Sequence, residues 1–279
     1  MSSENPDQPT ISVVIPSLNQ GPFLRRCLQS IVDQSYPHTE ILLIDGGSTD
    51  ETSRIAHEFR DQISYWVSET DSGQSEALNK GFAAANGEIL CWLNSDDYFL
   101  DGAFSAVIAA FEQEPEAKVV YGDWLEVDED EALIIKRYAL DFSVRQAQYR
   151  AFSALAQAMF WRREVHQRFG SFPADVHQTM DIYMILSFVL TEGPDRFARL
   201  DKQLVSFRRH AAQKTGHLDA DYVRTELAWI DQALRLRPRP GFSGKIERLA
   251  LTMTRAYQYW RRAGFRYFIR FARFAGSDR

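Results

Sequence analysis

Short β-branched runs alternate with amphipathic segments along the first 125 residues, and this alternation restricts the fold more than any other feature. The run Ile11-Ser-Val-Val-Ile-Pro16 predicts a buried strand, and apolar residues at helical spacing follow it. Further strands are predicted over residues 40–44, 63–67, 88–93 and 118–121, and further helices after residue 50 and over residues 77–85 and 102–113. Such alternation with short connections is typical of an α/β fold with a mainly parallel sheet and helices on both faces.

The pattern is looser after about residue 123. Strands are predicted over residues 132–138, 156–161 and 197–207, and a helix over residues 181–191. From Ala220 to the end the chain is predicted to be helical, with a break at residues 237–244. No internal repeat or low-complexity tract interrupts this organisation.

Polar clusters directly follow three of the predicted strands. They are Pro16-Ser-Leu-Asn19, Asp45-Gly-Gly-Ser48 and Asn94-Ser-Asp-Asp97. In open parallel sheets, ligands bind at the carboxyl ends of the strands. We therefore expect the three clusters to converge on one crevice.

The chemistry of these clusters is acidic. The chain contains neither a GxGxxG turn nor a GxxxxGK[ST] loop, which argues against a nicotinamide dinucleotide site and against a P-loop. Instead it offers Asp45, Asp71, Asp96 and Asp97. Because carboxylates repel phosphate, a nucleotide bound here needs a divalent cation, and hard oxygen ligands suit Mg²⁺ or Mn²⁺. One of the two adjacent acids is then expected to bind the metal and the other a sugar hydroxyl.

Five motifs in order carry a resemblance to a known family. They are PSLNQ, IDGGSTDET, SETDSGQSEALNKGF, GEILCWLNSDD and YGD. Together they resemble the family 2 inverting glycosyltransferases of the GT-A fold, which is Rossmann-like, closely over residues 11–125 and further through residues 155–216. The resemblance implies a nucleotide-sugar donor and a carbohydrate or lipid-linked carbohydrate acceptor. It divides a catalytic domain, residues 1–217, into a donor half (11–125) and an acceptor half (126–217), with a helical extension at 218–279.

The resemblance also implies a role for each matched residue. Asp181 is the expected catalytic base, which takes a proton from the acceptor hydroxyl, and Asp97 is the expected metal ligand. Asp45 is expected to bind the nucleotide base, and Arg208 with His210 to face the diphosphate. The full set of expected donor-binding residues is Pro16, Ser17, Asn19, Asp45, Asp71, Asn79, Lys80, Asn94, Asp96, Arg208 and His210.

Three positions depart from the family pattern. Leu18 stands where an aromatic residue is common, Gly46 replaces a frequent second aspartate, and Glu76 replaces another aspartate. These departures affect the choice of donor more than the class of enzyme.

Purely structural explanations exist for several of these residues. Adjacent aspartates can cap a helix, here the one predicted after Leu100, and an aspartate such as Asp45 can close an Asx turn. Asp181 can favour its helix through the helix dipole. Lys80 and His210 can be ordinary surface residues.

The charge of the chain is unevenly distributed. Residues 235–279 hold twelve Arg or Lys against Glu247 and Asp278, about +10, so the net charge of −6 leaves about −16 on residues 1–234. On a helical wheel one side of this tail is aromatic, and the other is rich in arginine. The aromatic side comprises Tyr257, Trp260, Gly264, Tyr267, Phe268, Phe271 and Phe274. Residues 245–274 are therefore predicted to meet an anionic membrane surface, or else to pack with their aromatic face on the catalytic domain or on a second subunit. Nucleic acid is not predicted as a partner, because the acidic body repels it.

The expected location is the cytoplasm, peripherally on the inner face of the plasma membrane, in cell-surface polysaccharide synthesis. The N-terminal residues MSSENPDQPT lack the apolar core of a signal peptide, and no apolar run reaches about 18 residues. Cys27 and Cys91 lie in apolar segments and are predicted to be buried free thiols.

Two other functions remain as alternatives to a glycosyltransferase. They are a nucleotidyltransferase, which also uses Mg²⁺, and a non-catalytic scaffold that binds sugar nucleotides.

Overall fold

The computed structural model describes residues 8–217, 219–236 and 241–263. The strands are β1 (Ile11–Ser17), β2 (Thr39–Asp45), β3 (Tyr65–Ser68), β4 (Ile89–Trp92), β5 (Tyr98–Phe99), β6 (Val119–Val127), β7 (Leu133–Arg137), β8 (Met159–Arg162) and β9 (Phe197–Arg208). The α-helices are α1 (Gly21–Val32), α2 (Thr52–Glu58), α3 (Gln74–Ala84), α4 (Ala103–Gln113), α5 (Val144–Gln148), α6 (Arg163–Phe169), α7 (Met180–Glu192), α8 (Ala220–Ala233) and α9 (Gly241–Ala263).

All nine strands belong to one sheet, in the order β3-β2-β1-β4-β8-β6-β9-β5, with β7 paired to β6. The strands β1 to β4 are parallel to their neighbours among themselves, and Ser17 at the end of β1 lies beside Asp45 at the end of β2. Beyond β4 the sheet is mixed, since β8 is antiparallel to both β4 and β6 while β9 is parallel to β6. The predicted α/β fold is confirmed, and its parallel character is concentrated in the donor half.

Two apolar layers enclose the sheet, as the alternation of side chains along a strand requires. On β1, Ile11, Val13 and Ile15 pack in one layer, with α1, α2 and α4. Val14 packs in the other layer, with α3, α7 and α8. Cys27 and Cys91 are buried free thiols in the first layer, as predicted.

Some elements differ from the sequence prediction. β6 continues to Val127 because it pairs with β9 along most of its length, a partner 70 or more residues away. The predicted strand at 156–161 is a short 3-10 turn followed by β8, and β3 begins at Tyr65. The short elements α5, α6 and β5 were not predicted, since each is too brief to show a hydrophobic period.

The C-terminal helices α8 and α9 contact the preceding part of the chain in different ways. Ile230 of α8 is fully buried in the second core layer. Near the end of α9, Arg262 forms a two-pronged ion pair with the buried carboxylate of Asp123, with N–O distances of 2.8 and 2.9 Å. Near its start, Glu247 pairs with Arg145 at 2.6 Å. The predicted aromatic residues at 264 and beyond lie outside the described residues.

One face of α9 is exposed and apolar. Ile246, Leu249, Met253, Tyr257 and Trp260 are each between 44% and 65% exposed. Among the described residues, no helix combines the length and the apolar character that crossing a membrane requires.

Candidate active site

The tips of β1 and β2 are joined by a compact hydrogen-bond network. The amide of Asn19, a residue with φ of 51°, donates to Ser48 Oγ at 2.7 Å, and the amide of Thr49 donates to Asn19 Oδ1 at 2.9 Å. The buried Asp45 accepts hydrogen bonds from Ser48 and from Ser68 Oγ, the latter at 2.6 Å. Asp45 therefore closes an Asx-type turn, the structural alternative for this residue, and remains at the strand tip where the nucleotide base is expected.

Asp71 lies against the same turn. The amide of Gly73 donates to Asp71 Oδ1 at 2.9 Å, and a Cβ atom added to Gly46 would meet Asp71 Oδ2 at 3.0 Å. Because Gly46 has no side chain, the carboxylate of Asp71 can lie directly against this turn. Burial raises the pKa of Asp71, with hydrogen bonding from Gly73 and the charge of Lys80 acting in the opposite direction.

Asn94 connects this region to the acids after β4. Its Oδ1 accepts hydrogen bonds from Gln74 Nε2 at 2.8 Å and from the indole of Trp92 at 2.6 Å. Its Nδ2 donates to Asp97 Oδ2 at 3.3 Å. Because β1 lies between β2 and β4 and is parallel to both, the three polar clusters follow the carboxyl ends of three neighbouring strands, as the sequence indicated.

Asp96 and His210 form a close pair. Asp96 Oδ2 and His210 Nε2 are 2.9 Å apart, and the imidazole packs on Phe23 of α1 with ring centroids 4.5 Å apart. The His210 side chain is 1% exposed, so it is not an ordinary surface residue. Neither aspartate caps the following helix, because β5 intervenes and α4 starts after Gly102.

Asp97, the expected metal ligand, has partners within the protein. It is buried, and its Oδ1 accepts a hydrogen bond from the amide of Arg208 at 2.9 Å. Burial raises the pKa of Asp97 well above its ordinary value, and the charge of Asp96 raises it further. The carboxylate of Asp97 is therefore less accessible to an ion than that of Asp96, whose side chain is 13% exposed, and the metal-binding role of Asp97 stays a prediction.

Arg208 also has several partners within the protein. Its guanidinium donates to the carbonyls of Asp96 (3.0 Å) and Glu129 (2.9 Å) and pairs with Glu131 at 3.2 Å. The side chain is 4% exposed and lies over the rings of Phe23 and Tyr98. The Arg208 guanidinium is therefore bound to the loop that carries Asp96 and to the turn that carries Glu129 and Glu131, and its expected contact with a diphosphate stays a prediction.

Two residues of α3 have partners within the protein. Asn79 uses both groups of its amide on the backbone of Phe172, at 2.9 and 2.8 Å, which favours a structural role over the expected donor contact. Lys80 pairs with Glu69 at 2.9 Å and with Glu76 at 2.8 Å. This pairing raises the pKa of Lys80 and lowers that of Glu76 to about 2.

At the end of β1, Pro16 is buried beside Ile44 in the parallel ladder. The Ser17 hydroxyl is buried and has no hydrogen-bond partner within the described part of the chain. Leu18, which follows, is 53% exposed. A buried polar atom without a partner at a strand tip is a site where a ligand hydroxyl or amide can bind.

Asp181 lies in the first turn of α7, on the acceptor side. The amide of Ile182 donates to Asp181 Oδ1 at 2.8 Å. Burial raises the pKa of Asp181, while hydrogen bonding and the charge of Lys214 lower it and the charge of Glu226 raises it. A raised pKa suits a group that must accept a proton during a reaction.

Several supporting residues were not predicted from the sequence. Phe23 packs on His210, Gln74 holds Asn94, and Glu131 pairs with Arg208. Gln74 lies inside the recognised GQSEALNKGF motif and could have been chosen from it. Glu131 lies in no recognised motif, and the turn that contains it approaches Arg208 only in the folded chain.

Comparison with known proteins decides the family. The sequence profile of "Glycosyl transferase family 2" matches residues 12–170, more than half of the chain. The chain belongs to glycosyl transferase family 2. The resemblance carried by the five motifs is therefore confirmed.

Two known proteins are similar to this chain, one by sequence and one by structure. A PGL/p-HBAD biosynthesis glycosyltransferase of Mycobacterium bovis is 40% identical over 120 residues, which cover 41% of this chain and 46% of that relative. The match thus spans less than half of the relative's length. TarS of S. aureus, solved with UDP-GlcNAc, has a TM-score of 0.68 at 17% identity and covers 90% of this chain and 72% of TarS.

A second solved structure contains a metal. Glucosyl-3-phosphoglycerate synthase from Mycobacterium tuberculosis, solved with Mn²⁺, UDP and glucosyl-3-phosphoglycerate, has a TM-score of 0.55 at 16% identity. The match covers 83% of this chain and 82% of the synthase. At these identities the two likenesses show the GT-A fold that this family 2 chain shares with them.

Proposed function

We propose that this protein is an inverting, metal-dependent glycosyltransferase that moves a sugar from a nucleotide-sugar to a carbohydrate or lipid-linked carbohydrate acceptor. The observation that carries the proposal is the Asp96–His210 pair, 2.9 Å apart at the sheet edge where Asp45 and Asp71 also lie. UDP with Mn²⁺ in the synthase and UDP-GlcNAc in TarS support a nucleotide-sugar donor for this fold. A role in cell-surface polysaccharide synthesis follows from the family resemblance.

The residues present fit a divalent ion. Mg²⁺ binds its ligands at about 2.0–2.1 Å in octahedral geometry, so two adjacent ligand atoms stand about 3.0 Å apart. The separation of Asp96 Oδ2 and His210 Nε2 matches that spacing. In the described ranges no group of three or more His, Cys, Asp or Glu surrounds a metal position. Mg²⁺ sites that bind nucleotides typically use one or two carboxylates, with the remaining positions left for water and phosphate; here Asp96 supplies one carboxylate and His210 is the second protein ligand.

Asp96 and His210 would hold the ion, which when bound neutralises charge on the departing diphosphate. Asp181 takes the proton of the acceptor hydroxyl as that oxygen bonds to the anomeric carbon. The bond from this carbon to the diphosphate oxygen breaks in the same step, so the configuration inverts and no covalent intermediate forms. Asp45 and the Ser17 hydroxyl orient the nucleoside, and Asp71 contacts the donor beside them.

A turnover assay with defined donors tests this function. The purified protein is incubated with UDP-glucose, UDP-GlcNAc or GDP-mannose and a panel of carbohydrate and lipid-linked carbohydrate acceptors, with Mn²⁺ or with EDTA, and release of the nucleoside diphosphate is measured. We expect release with one donor, dependent on Mn²⁺ and lost in Asp181→Asn. Thermal unfolding under the same conditions reports binding, since ligand at about 100 times its Kd adds about 2.7 kcal/mol of stability. Donor binding without turnover supports the scaffold alternative instead.

We also propose that α9 docks on an anionic membrane surface. Its exposed apolar stripe runs from Ile246 to Trp260, and exposed Lys245 and Arg261 lie near its two ends. The acidic residue of the helix, Glu247, is turned inward to Arg145 and Tyr149. An apolar stripe with basic neighbours is suited to anionic lipid. A two-fold contact between copies would instead bring basic residues together.

Vesicle flotation tests the membrane surface. We expect the protein to float with vesicles that contain phosphatidylglycerol and not with pure phosphatidylcholine, and Met253→Glu to abolish flotation. Tyr65→Glu is the matched control, because Tyr65 is an exposed apolar residue on β3, away from α9. Equal binding to both vesicles, or a dimer in solution that Met253→Glu dissociates, would overturn the proposal.

A further inference from the structure

The loop before α7 is held from two sides. On one side, Ser75 Oγ of α3 donates a hydrogen bond to the carbonyl of Val176 at 2.8 Å. On the other side lies Glu226 of α8, a carboxylate that is 4% exposed. The loop therefore connects the donor half to the C-terminal extension immediately before the helix that carries Asp181.

Glu226 binds this loop through both carboxylate oxygens. Its Oε1 accepts hydrogen bonds from the amides of His177 at 2.5 Å and Gln178 at 3.1 Å. Its Oε2 accepts from the amide of Gln178 at 3.0 Å and from Thr179 Oγ1 at 2.8 Å. Thr179 is the N-cap residue of α7, and its side chain makes no cap bond within that helix. The carboxylate of Glu226 thus holds the two residues that precede the N-cap of α7 by their amides and the N-cap residue by its hydroxyl.

We propose that Glu226 is a positioning residue for the acceptor side of the site: by fixing residues 177–179 it fixes the first turn of α7 and the direction of Asp181. This inference rests on the proposed function, because it takes Asp181 as the base. It also means that the extension after residue 217 completes the catalytic domain.

The contacts of Glu226 matter because a catalytic base must be held in the right position relative to the hydroxyl that it deprotonates. A displacement of about 1 Å at a reacting group can lower a rate about 100-fold. Glu226→Gln keeps the shape of the side chain but points an amide donor at the backbone donors of the loop. Because hydrogen bonds to a charged group are among the stronger ones, the loop is expected to loosen even though the fold is retained.

Hydrogen exchange tests the clamp without any substrate. In Glu226→Gln we expect amide exchange across residues 176–182 to rise about tenfold to a hundredfold, and Glu226→Asp to restore part of the protection. The matched control is Glu192→Gln, which removes a carboxylate paired with Arg168 at the opposite end of α7. Exchange that stays at the wild-type level in Glu226→Gln would overturn the proposal.

A second readout separates positioning from stability. Carbon-13 NMR of the Asp carboxyl groups, assigned with Asp181→Asn, follows the protonation of Asp181, which Glu226 and Lys214 influence in opposite directions. We expect the pKa of Asp181 to fall in Glu226→Gln and to stay unchanged in Glu192→Gln. In the turnover assay, kcat should fall at least about tenfold with an unchanged KM for the donor. A loosened loop with unchanged kcat would refute a positioning role. A wild-type protein without turnover would refute the proposed function, while exchange and NMR still decide the clamp.

Discussion

Asp96 Oδ2 and His210 Nε2 lie 2.9 Å apart, although 114 residues separate them in the chain. Each comes from the end of a different strand region: Asp96 follows β4, and His210 follows β9. Phe23 and the loop around Arg208 hold this pair in place, so the two atoms that we propose as metal ligands are already close together in the protein without an ion.

Replacement of His210 tests this pair as a metal site. In His210→Ala, we expect the affinity for Mn²⁺ in the presence of UDP to fall at least about 10- to 100-fold, because one of two protein ligands is lost. Isothermal titration calorimetry measures the change. His57→Ala, which alters an exposed histidine of α2, should bind Mn²⁺ like the wild type. Unchanged Mn²⁺ affinity in His210→Ala would remove the pair from the metal site.

Asp97 is expected to support the fold rather than the ion. Asp97→Ala leaves the buried amide of Arg208 without an acceptor, so the free energy of unfolding should fall by about 1–3 kcal/mol. Asp97→Asn, which keeps an acceptor oxygen, should lose less. Urea denaturation measures both, with exposed Asp101→Ala as the neutral control. A large loss of Mn²⁺ affinity in a stable Asp97→Asn protein would restore the original metal assignment.

Arg208 and Arg209 are neighbours with different expected effects. Arg208→Ala removes a buried charge that pairs with Glu131 and two carbonyls, and about 3 kcal/mol of stability should be lost. Arg209 is exposed, and its partner Glu126 retains Arg137, so Arg209→Ala should cost less than about 1 kcal/mol. Thermal and urea unfolding compare the two. Similar stability of both variants, with UDP binding lost only in Arg208→Ala, would indicate a diphosphate contact.

The pH dependence of turnover should reveal Asp181. Burial raises the pKa of Asp181, so this carboxyl group ionises at a higher pH than an ordinary aspartate does. Because only the ionised form can accept a proton, the rate should rise over that same higher pH range. The charge of Lys214 counteracts this shift, and Glu226 adds to it. Lys214→Met should therefore move the acidic limb of the kcat profile to higher pH. A limb that stays in place, or moves to lower pH, contradicts the assignment of Asp181 as base.

Much of the donor half could be predicted from the sequence. The strands β1, β2 and β4 are short, β-branched and followed by polar turns, so local signals identify both the strands and the edge where their ends meet. The acceptor half was less predictable, because β6 and β9 pair over a long separation and β5 has two residues. Pairing between strands that are far apart in the chain leaves no periodic pattern in the local sequence.

The site was predictable in outline but not atom by atom. Asp96 and Asp97 are adjacent and chemically identical, and only the folded backbone decides which carboxylate is buried against Arg208. The direction of the Arg208 side chain likewise depends on Glu129 and Glu131 in a remote turn. The motif indicated residues that follow neighbouring strand ends, and the folded chain shows which of them are buried against other residues and which are not.

The ion pairs at both ends of α9, Glu247 with Arg145 and Arg262 with Asp123, tie that helix to the body of the protein. A helix anchored twice cannot swing on a tether. If the proposed docking of its apolar stripe on lipid holds, the whole molecule takes one tilt, and the proposed active site keeps one height above the headgroups. An acceptor that diffuses within the bilayer would then meet the crevice through a two-dimensional search, with its reach set by the length of its own head.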